Sequence, residues 1–402
     1  MKIACIANMN NNMFCLVRYL RDAGYDAHLF LVEEFSHFRP EADTYDEEYK
    51  KYTHELDWYE IGYWKTSSDK IKKDLNGFDF IIGSDLIPAF LEKAKMVTDV
   101  FIPHGGDLIY HPVYKFKHFP PKRWEIGAYA RARAVKKGIR KSKYILFEYT
   151  NEELEVFIDK LNIKGKRIVS NAVFLYLPQY TKDNFKRQEA YEKAMAVRNS
   201  HDLIIFHQCR HVWRPIREEF QYKGNDILLK AYTKFLKAKP ESKALLILFE
   251  YGWDFRESKD LVKELGIEDK VLWLPIMLRK EIMVWLDMAD ICVGELGRSF
   301  LAYGSVYEDL ALKKPFVGYR RDELYLKFHK DLYPMISTNN EDVIADMFSD
   351  YLIHKDKYIQ MGINSHNWMM QNAIEKPLNA VIAAIEEKRK IRFKWWQYLC
   401  CF

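Results

Sequence analysis

The chain has 402 residues, which at roughly 150 residues per domain favours two domains and admits three. Hydrophobic residues make up 49% and charged residues 30%, a balance that excludes a disordered chain and supplies a sizeable core. A formal charge of +5 is too small to imply nucleic acid by itself, so the placement of the positive charge matters more than its total.

The chain opens Met1-Lys2-Ile3-Ala4-Cys5-Ile6-Ala7, too short for a signal peptide and suited to a first strand over 2–7. An asparagine-rich loop (Asn8, Asn10-Asn11-Asn12) follows, then apolar positions Phe14, Val17 and Leu20 at helical spacing beside Arg21. Gly24 suits the helix end, and 27–32 is the next strand, completing a βαβ unit. Residues 40–66 are rich in acids and tyrosines and read as an insertion or irregular helix. Short buried strands are expected at 78–83, 99–103, 144–147 and 167–169, with a helix over 151–162. The polar stretch 179–200 reads as the linker. Strand and helix patterns then alternate again: strand 203–207, helix 226–239, strand 244–249, helix 257–265, strand 271–274, helix 279–288, strand 291–293, helix 305–312 and strand 315–318. This predicts a second doubly wound α/β domain. The expected domains are 1–190, 200–375, and a terminal helix and basic aromatic tail over 376–402. Cys5, Cys15 and Cys292 lie in apolar stretches, and none of the six cysteines (the others being Cys209, Cys400 and Cys401) has CxxC spacing, which favours a reducing cytosol. No run reaches ~18 apolar residues, the length a spanning helix needs.

Ligands of open α/β sheets bind beyond the carboxyl ends of the strands, so residues directly after strands are the candidates. Arg210 follows the strand at 203–207, and Lys223-Gly224 precedes a helix; an arginine fork and a lysine point charge suit a diphosphate, or both are solvated surface residues. Gly304-Ser305 opens a helix whose N–H groups can face a phosphate, with Glu308 one turn on. Glu308 can accept from a ribose diol, or simply complement the helix dipole. His104-Gly105-Gly106-Asp107 follows the strand at 99–103 and is either functional or a tight turn. The Asn10-Asn11-Asn12 loop after the first strand suits capping of the helix that follows.

Taken in order, these blocks in residues 200–320 resemble the donor domain of GT-B-fold glycosyltransferases, most closely glycosyltransferase family 4. Arg210 follows a strand, and Lys223-Gly224 looks like the family's Lys-Gly phosphate segment. Val271-Leu272-Trp273-Leu274-Pro275, Lys280-Glu281-Ile282 and Ala289-Asp290-Ile291-Cys292-Val293 are similar to its strand, helix and strand. Gly304 to Pro315 looks like its glycine turn, glutamate and final Lys-Pro. Ile102 to Asp107 is similar to the His-Gly-x-Asp segment of such enzymes. The resemblance implies α/β architecture of GT-B type, two Rossmann-like doubly wound domains facing a central cleft. It implies that Arg210 and Lys223 hold a nucleotide diphosphate sugar, that Gly304 and Ser305 line the phosphate, and that Glu308 binds ribose. His104 and Asp107 then stand near the donor sugar, the Asn10-Asn11-Asn12 loop is implied to lie instead near the acceptor or diphosphate, and a retaining reaction without a metal or other cofactor is implied. Two departures stand out. Twelve residues separate Arg210 from Lys223, so Arg214 or Arg217 are alternatives; and Phe300 stands where the family places a second glutamate, leaving Glu295 as the nearest upstream acid.

Two segments interleave cations with aromatics: 114–143, with Lys115, Lys117, Arg123, Trp124, Arg131 and Arg133, and the tail with Lys388, Arg389, Arg392, Lys394, Trp395 and Trp396. They suit peripheral contact with an anionic membrane, a solvated basic helix in the first case, or packing of the tail on the N-terminal domain in the second. No nucleic-acid motif is present. The expected activity is hexosyltransferase-type transfer to a hydroxyl of a glycan or lipid-linked acceptor. Its setting would be cell-envelope polysaccharide or glycolipid synthesis, at the inner face of the membrane. The rivals are a sugar-nucleotide epimerase of the same fold and a non-catalytic nucleotide-sugar-binding partner.

Overall fold

The computed structural model describes residues 1–32, 35–147, 158–170, 172–215 and 222–400, the side chains of 392–400 excepted. The chain divides into two compact units, Met1–Tyr176 with Gln371–Phe402, and Leu177–Met370. Each is built on one parallel sheet.

In the first unit the strands are β1 (Lys2–Ile6), β2 (Asp26–Leu31), β3 (Thr53–Glu55), β4 (Phe80–Gly83), β5 (Val100–Phe101), β6 (Tyr144–Phe147) and β7 (Lys166–Val169), in the order β3-β2-β1-β4-β5-β6-β7. In the second they are β8 (Leu203–Phe206), β9 (Ala244–Phe249), β10 (Val271–Leu274), β11 (Ile291–Val293), β12 (Phe316–Gly318) and β13 (Ile336–Ser337), in the order β10-β9-β8-β11-β12-β13. The central strands are continuous apolar runs because helices cover both faces of a parallel sheet. β9, Ala-Leu-Leu-Ile-Leu-Phe, is buried at every position. Helix Asn12–Asp22 turns Phe14, Val17 and Leu20 inward and ends before Gly24, whose φ of +83° is open to glycine without strain. Helix Asn225–Ala238 buries Leu228, Leu229, Tyr232 and Phe235, the last packing edge-on against Phe348 at 5.8 Å between ring centroids.

Strand order reverses between β1 and β4 in one sheet and between β8 and β11 in the other. At such a switch point the loops leave the carboxyl ends in opposite directions and open a crevice for a ligand. The residues to watch are therefore those after β1, β4 and β5, and after β8 and β11.

Three expectations need correction or placement. Residues 40–66 are neither an insertion nor one irregular helix: short helical turns at Pro40–Ala42, Glu48–Tyr52 and Trp58–Ile61 flank the edge strand β3. An edge strand can be short and polar, so Thr53-His54-Glu55 carries no apolar signal. The stretch 179–200 is not a linker; helices Lys182–Lys186 and Ala190–Ser200 occupy it within the second unit, and Arg198 ties the latter to Asp290. The helix expected over 151–162 falls mostly outside the described residues. The long helix Lys376–Cys400 belongs to the first unit, with Val381, Ala384 and Ile385 buried and Glu386 accepting from Tyr25 at 3.0 Å. The side chains of Trp395 and Trp396 lie outside the described residues.

Candidate functional site

In the second unit, β8 runs into His207, Gln208, Cys209 and Arg210. His207 is buried; its Nδ1 donates to the Val293 carbonyl at 2.7 Å and its Nε2 accepts from the Asn225 amide at 2.9 Å. One imidazole thus joins the ends of β8 and β11 to the first turn of helix Asn225–Ala238. Burial holds it down to about 4, so it is neutral and structural. Gly224 sits at φ +74°, where an added Cβ would come within 2.8 Å of the Gly297 nitrogen. Only glycine allows this approach, and it sets Lys223 against the loop after β11. The Leu296 and Gly297 N–H groups donate to the Lys223 carbonyl at 2.9 and 3.2 Å.

The Lys223 ammonium lies 2.6 Å from Oε1 of Glu295, with each side chain only 10% exposed. Burial pushes the Glu295 carboxyl above its ordinary range, against the opposing pull of Lys223, Arg210 and Arg298. Its Oε2 is buried with no hydrogen-bond partner among the described residues. Phe300 stacks in the same place, its ring 5.6 Å from the Lys223 ammonium and 5.8 Å from the Arg298 guanidinium. Glu295 therefore stands against the lysine, and an aromatic ring occupies the position where the resemblance called for an acid.

Helix Gly304–Ala311 starts on the same edge. A Cβ at Gly304 would meet nothing within 4 Å, so the space above its N-terminus is open. Gln208 donates to the Ser305 carbonyl at 3.2 Å and to Asp309 at 3.3 Å, fixing the first turn to the end of β8. Glu308 is met by Arg279 Nε at 2.8 Å, the two side chains being 10% and 12% exposed. Burial, with Glu308 adjacent, drives the Asp309 carboxyl well above the ordinary range. Arg210 is exposed and close enough to act on Glu295 through its charge. Arg214, its alternative, is paired with Asp254 at 2.9 Å and Glu257 at 2.7 Å. Arg217 lies outside the described residues.

In the first unit, left-handed backbone at Ala7, Asn10 and Asn11 follows β1, and at Asp85 follows β4. Non-glycine residues rarely hold that conformation, and such positions gather at functional sites. Asn8 fixes the first loop, accepting from Phe14 N–H at 2.9 Å and donating to Asn11 at 2.8 Å. His104 N–H donates to both oxygens of Asp107, at 2.9 and 3.1 Å, and the Asp85 N–H reaches Asp107 at 3.2 Å. The Asn12 amide stands 3.4 Å from His104 Nδ1, which assigns Nδ1 as acceptor and leaves the proton on Nε2. Burial lowers His104 below its ordinary value against the pull of Asp107 and Asp85, so the ring is a neutral donor. Its Nε2 is buried and has no hydrogen-bond partner among the described residues. Asp85 accepts from His111 Nδ1 at 2.8 Å and from the Tyr59 hydroxyl at 2.8 Å. These groups line a cavity of about 550 Å³ with apolar walls from Met9, Val32, Phe35 and Phe38.

The structure thus joins His104 with Asp107, and Lys223 with Glu295 within reach of Arg210, while Gly304, Ser305 and Glu308 share one helix start. Sequence reasoning missed Asp85, His111, Tyr59 and Arg279. Asp85 was within its grasp, since it follows the strand run at 78–83 as Glu295 follows that at 291–293. Among the described residues no helix is long and apolar enough to cross a membrane.

No family model matches the chain, and no curated protein matches its sequence. Solved structures do match in fold. Anabaena HepE, determined with UDP and glucose, superimposes with a TM-score of 0.62 at 14% identity over 96% of this chain and 100% of that one. A glycosyltransferase from Rickettsia africae gives 0.62 at 12% identity, over 97% and 99%. Sucrose-phosphate synthase from Thermosynechococcus elongatus gives 0.58 at 12%, over 99% and 100%. With these, the two parallel sheets are those of the GT-B fold.

Proposed function

We propose that the chain is a glycosyltransferase that takes a sugar from a nucleotide diphosphate sugar and moves it to a hydroxyl acceptor. The observation that carries this reading is the buried Lys223–Glu295 pair at the switch point of the second sheet, with Arg210 and Arg298 acting on the same carboxylate. A fixed cation cluster with one internal carboxylate suits a ligand that brings its own negative charge. Magnitudes rank the contributors. A helix N-terminus stabilises an anion by about 0.3–1 kcal/mol. A hydrogen bond to a charged group contributes about 1.5–3 kcal/mol, so Lys223 on a diphosphate outweighs the Gly304 helix start.

In this reading Lys223 and Arg210 take the diphosphate, the N–H groups of Gly304 and Ser305 take a phosphate oxygen, and Glu308 takes the ribose from Arg279. The unpartnered Oε2 of Glu295 accepts a hydroxyl of the donor sugar. In the first unit the neutral His104, on a backbone held by Asp107, offers Nε2 to a sugar hydroxyl. The acceptor oxygen bonds to the anomeric carbon as the bond from that carbon to the diphosphate oxygen breaks. The acceptor proton passes to the departing diphosphate, whose charge the fixed cations stabilise. The proposal includes retention at the anomeric carbon and transfer without a metal.

The acceptor is a glycan or lipid-linked saccharide of the cell envelope, met at the inner face of the membrane. The segment 110–133 supports peripheral contact: Tyr110, Val113, Phe116, Phe119, Trp124 and Ile126 are exposed among its cations. Glu125, buried beneath, organises that loop by accepting from the Lys117 and Lys122 N–H groups at 2.7 and 2.9 Å; burial pushes it up, but these bonds and His118 hold it down at about 2. The test is incubation with a panel of nucleotide sugars, with and without saccharide acceptors and with a chelator. Acceptor-dependent release of nucleoside diphosphate, unaffected by the chelator, is expected. Epimerised donor in the absence of acceptor would replace this reading with its first rival.

A further inference from the structure

A cavity of about 800 Å³ in the first unit lies at the opposite end of the sheet from His104 and Asp85, beside the amino ends of β4, β5, β6 and β7. A four-residue strand puts the two ends about 13 Å apart. Six cations line the cavity, Arg140, Lys141, Lys143, Lys164, Lys166 and Lys388, against the carboxylates of Asp79, Asp99 and Glu387.

The carboxylates are spoken for. Asp99 accepts from Lys143 at 2.8 Å, from Lys388 at 2.7 Å and from the Ile81 N–H at 2.9 Å. Glu387 accepts from the Tyr144 hydroxyl. Lys141 is paired outside the cavity with Glu92 at 2.7 Å. Arg140 gives its Nε to the Leu161 carbonyl, and neither it, Lys164 nor Lys166 has a carboxylate partner among the described residues. The backbone between the last two is set by the glycine: a Cβ at Gly165 would lie 2.2 Å from the Ser142 carbonyl oxygen, so the Lys164-Gly165-Lys166 turn is pressed onto the backbone before β6, while both lysine side chains are exposed. Three cations without carboxylate partners on this rim, over a pocket walled by Phe80, Tyr144 and Ile391, describe a seat for an anion with an apolar neighbour. The fourth wall is helix Lys376–Cys400, whose sequence beyond Ile391 continues through Arg392, Lys394, Trp395 and Trp396.

We propose that this cavity is a second anion site, separate from the donor site, that binds the phosphoryl headgroup of an anionic lipid. The inference rests on the membrane-contact part of the proposed function, and is independent of the transfer chemistry. Guanidinium and ammonium groups supply the phosphate contacts, and the exposed Ile391 meets the start of the acyl region.

The test compares three full-length proteins: wild type, the Lys164→Glu/Lys166→Glu variant, and a Lys237→Glu/Lys263→Glu variant carrying the same charge change on exposed helix positions of the second unit. Each is measured for co-sedimentation with phosphatidylglycerol vesicles and for calorimetric binding of glycerol 3-phosphate, with UDP binding followed in parallel. The cavity variant should partition onto vesicles about 30-fold more weakly than wild type and lose glycerol 3-phosphate binding, while the second-unit variant changes little and UDP binding is kept in all three. Loss of glycerol 3-phosphate binding alone would keep the phosphoryl site and overturn its lipid source. Equal behaviour of the two variants with both probes would overturn the site, even where vesicle binding through the tail or the 110–133 segment persists. Absence of UDP binding in wild type would count against the donor reading and not against this one.

Discussion

The two sheets share a strand order up to the switch point and beyond it, yet their switch points carry opposite chemistry. The second sheet sets cations there, Lys223 with Arg210 and Arg298 nearby, and balances them with the internal carboxylate of Glu295. The first sheet sets neutral and paired groups there, His104 on Asp107 and His111 on Asp85, beside an apolar cavity. One edge thus carries fixed charge, the other neutral and paired polar groups beside apolar walls.

The comparison breaks most visibly at Glu295. If this carboxylate serves the sugar while Lys223 serves the diphosphate, Glu295→Gln should lower turnover by about 100-fold or more and leave UDP affinity unchanged or tighter, because Lys223 loses its internal competitor. Steady-state rates with calorimetry on the same preparation separate the two effects. Parallel loss of both would reduce Glu295 to a structural partner of Lys223.

A smaller effect sharpens the nucleoside end. Glu308→Gln should weaken UDP by about tenfold and leave inorganic pyrophosphate unaffected, since about 1.4 kcal/mol is a typical charged hydrogen bond to a ribose. Equal weakening of both ligands in titration calorimetry would move Glu308 away from the ribose.

The smallest effect is on stability against pH, and its sign differs between His207 and His111. His207, held down to about 4, is neutral when folded and takes a proton more readily when unfolded. Its contribution is present above pH 6.5 and is lost as pH falls from there through about 4. His211 shifts the same way by burial. His111 is raised by its bond to Asp85, so its contribution is complete below pH 6.5 and is lost as pH rises through its higher folded value. Amide exchange should show the start of helix Asn225–Ala238, bonded to His207, losing protection on acidification from pH 6.5, and His207→Asn should remove that dependence. The His111–Asp85 contribution should fade instead as pH rises, and a His111→Asn variant that keeps the wild-type alkaline profile would contradict it.

Much of this was legible in the sequence. Continuous apolar runs such as 244–249 and 203–206 mark buried parallel strands, and their alternation with helical spacing predicts both sheets. Gly224 stands where only glycine permits the approach to Gly297, a constraint that the Lys223-Gly224 spelling carries without naming its partner. The failures have physical causes. β3 is polar because an edge strand buries little. Helix Ala190–Ser200 reads as linker in the sequence because, of its side chains, only Ala194 is buried. Arg279 and Glu308 are 29 positions apart in sequence, and their 2.8 Å bond depends on tertiary packing that no local pattern records.

The most direct test of the central claim is UDP binding to Lys223→Ala. Calorimetry should show affinity reduced by about 10- to 100-fold, in line with about 1.5–3 kcal/mol for a hydrogen bond to a charged group, while the variant remains folded by circular dichroism. Because this truncation leaves Glu295 buried without its ammonium, Lys223→Ala/Glu295→Gln serves as the folded control and should bind UDP as weakly. Wild-type affinity in both variants would contradict the diphosphate assignment on which the rest stands.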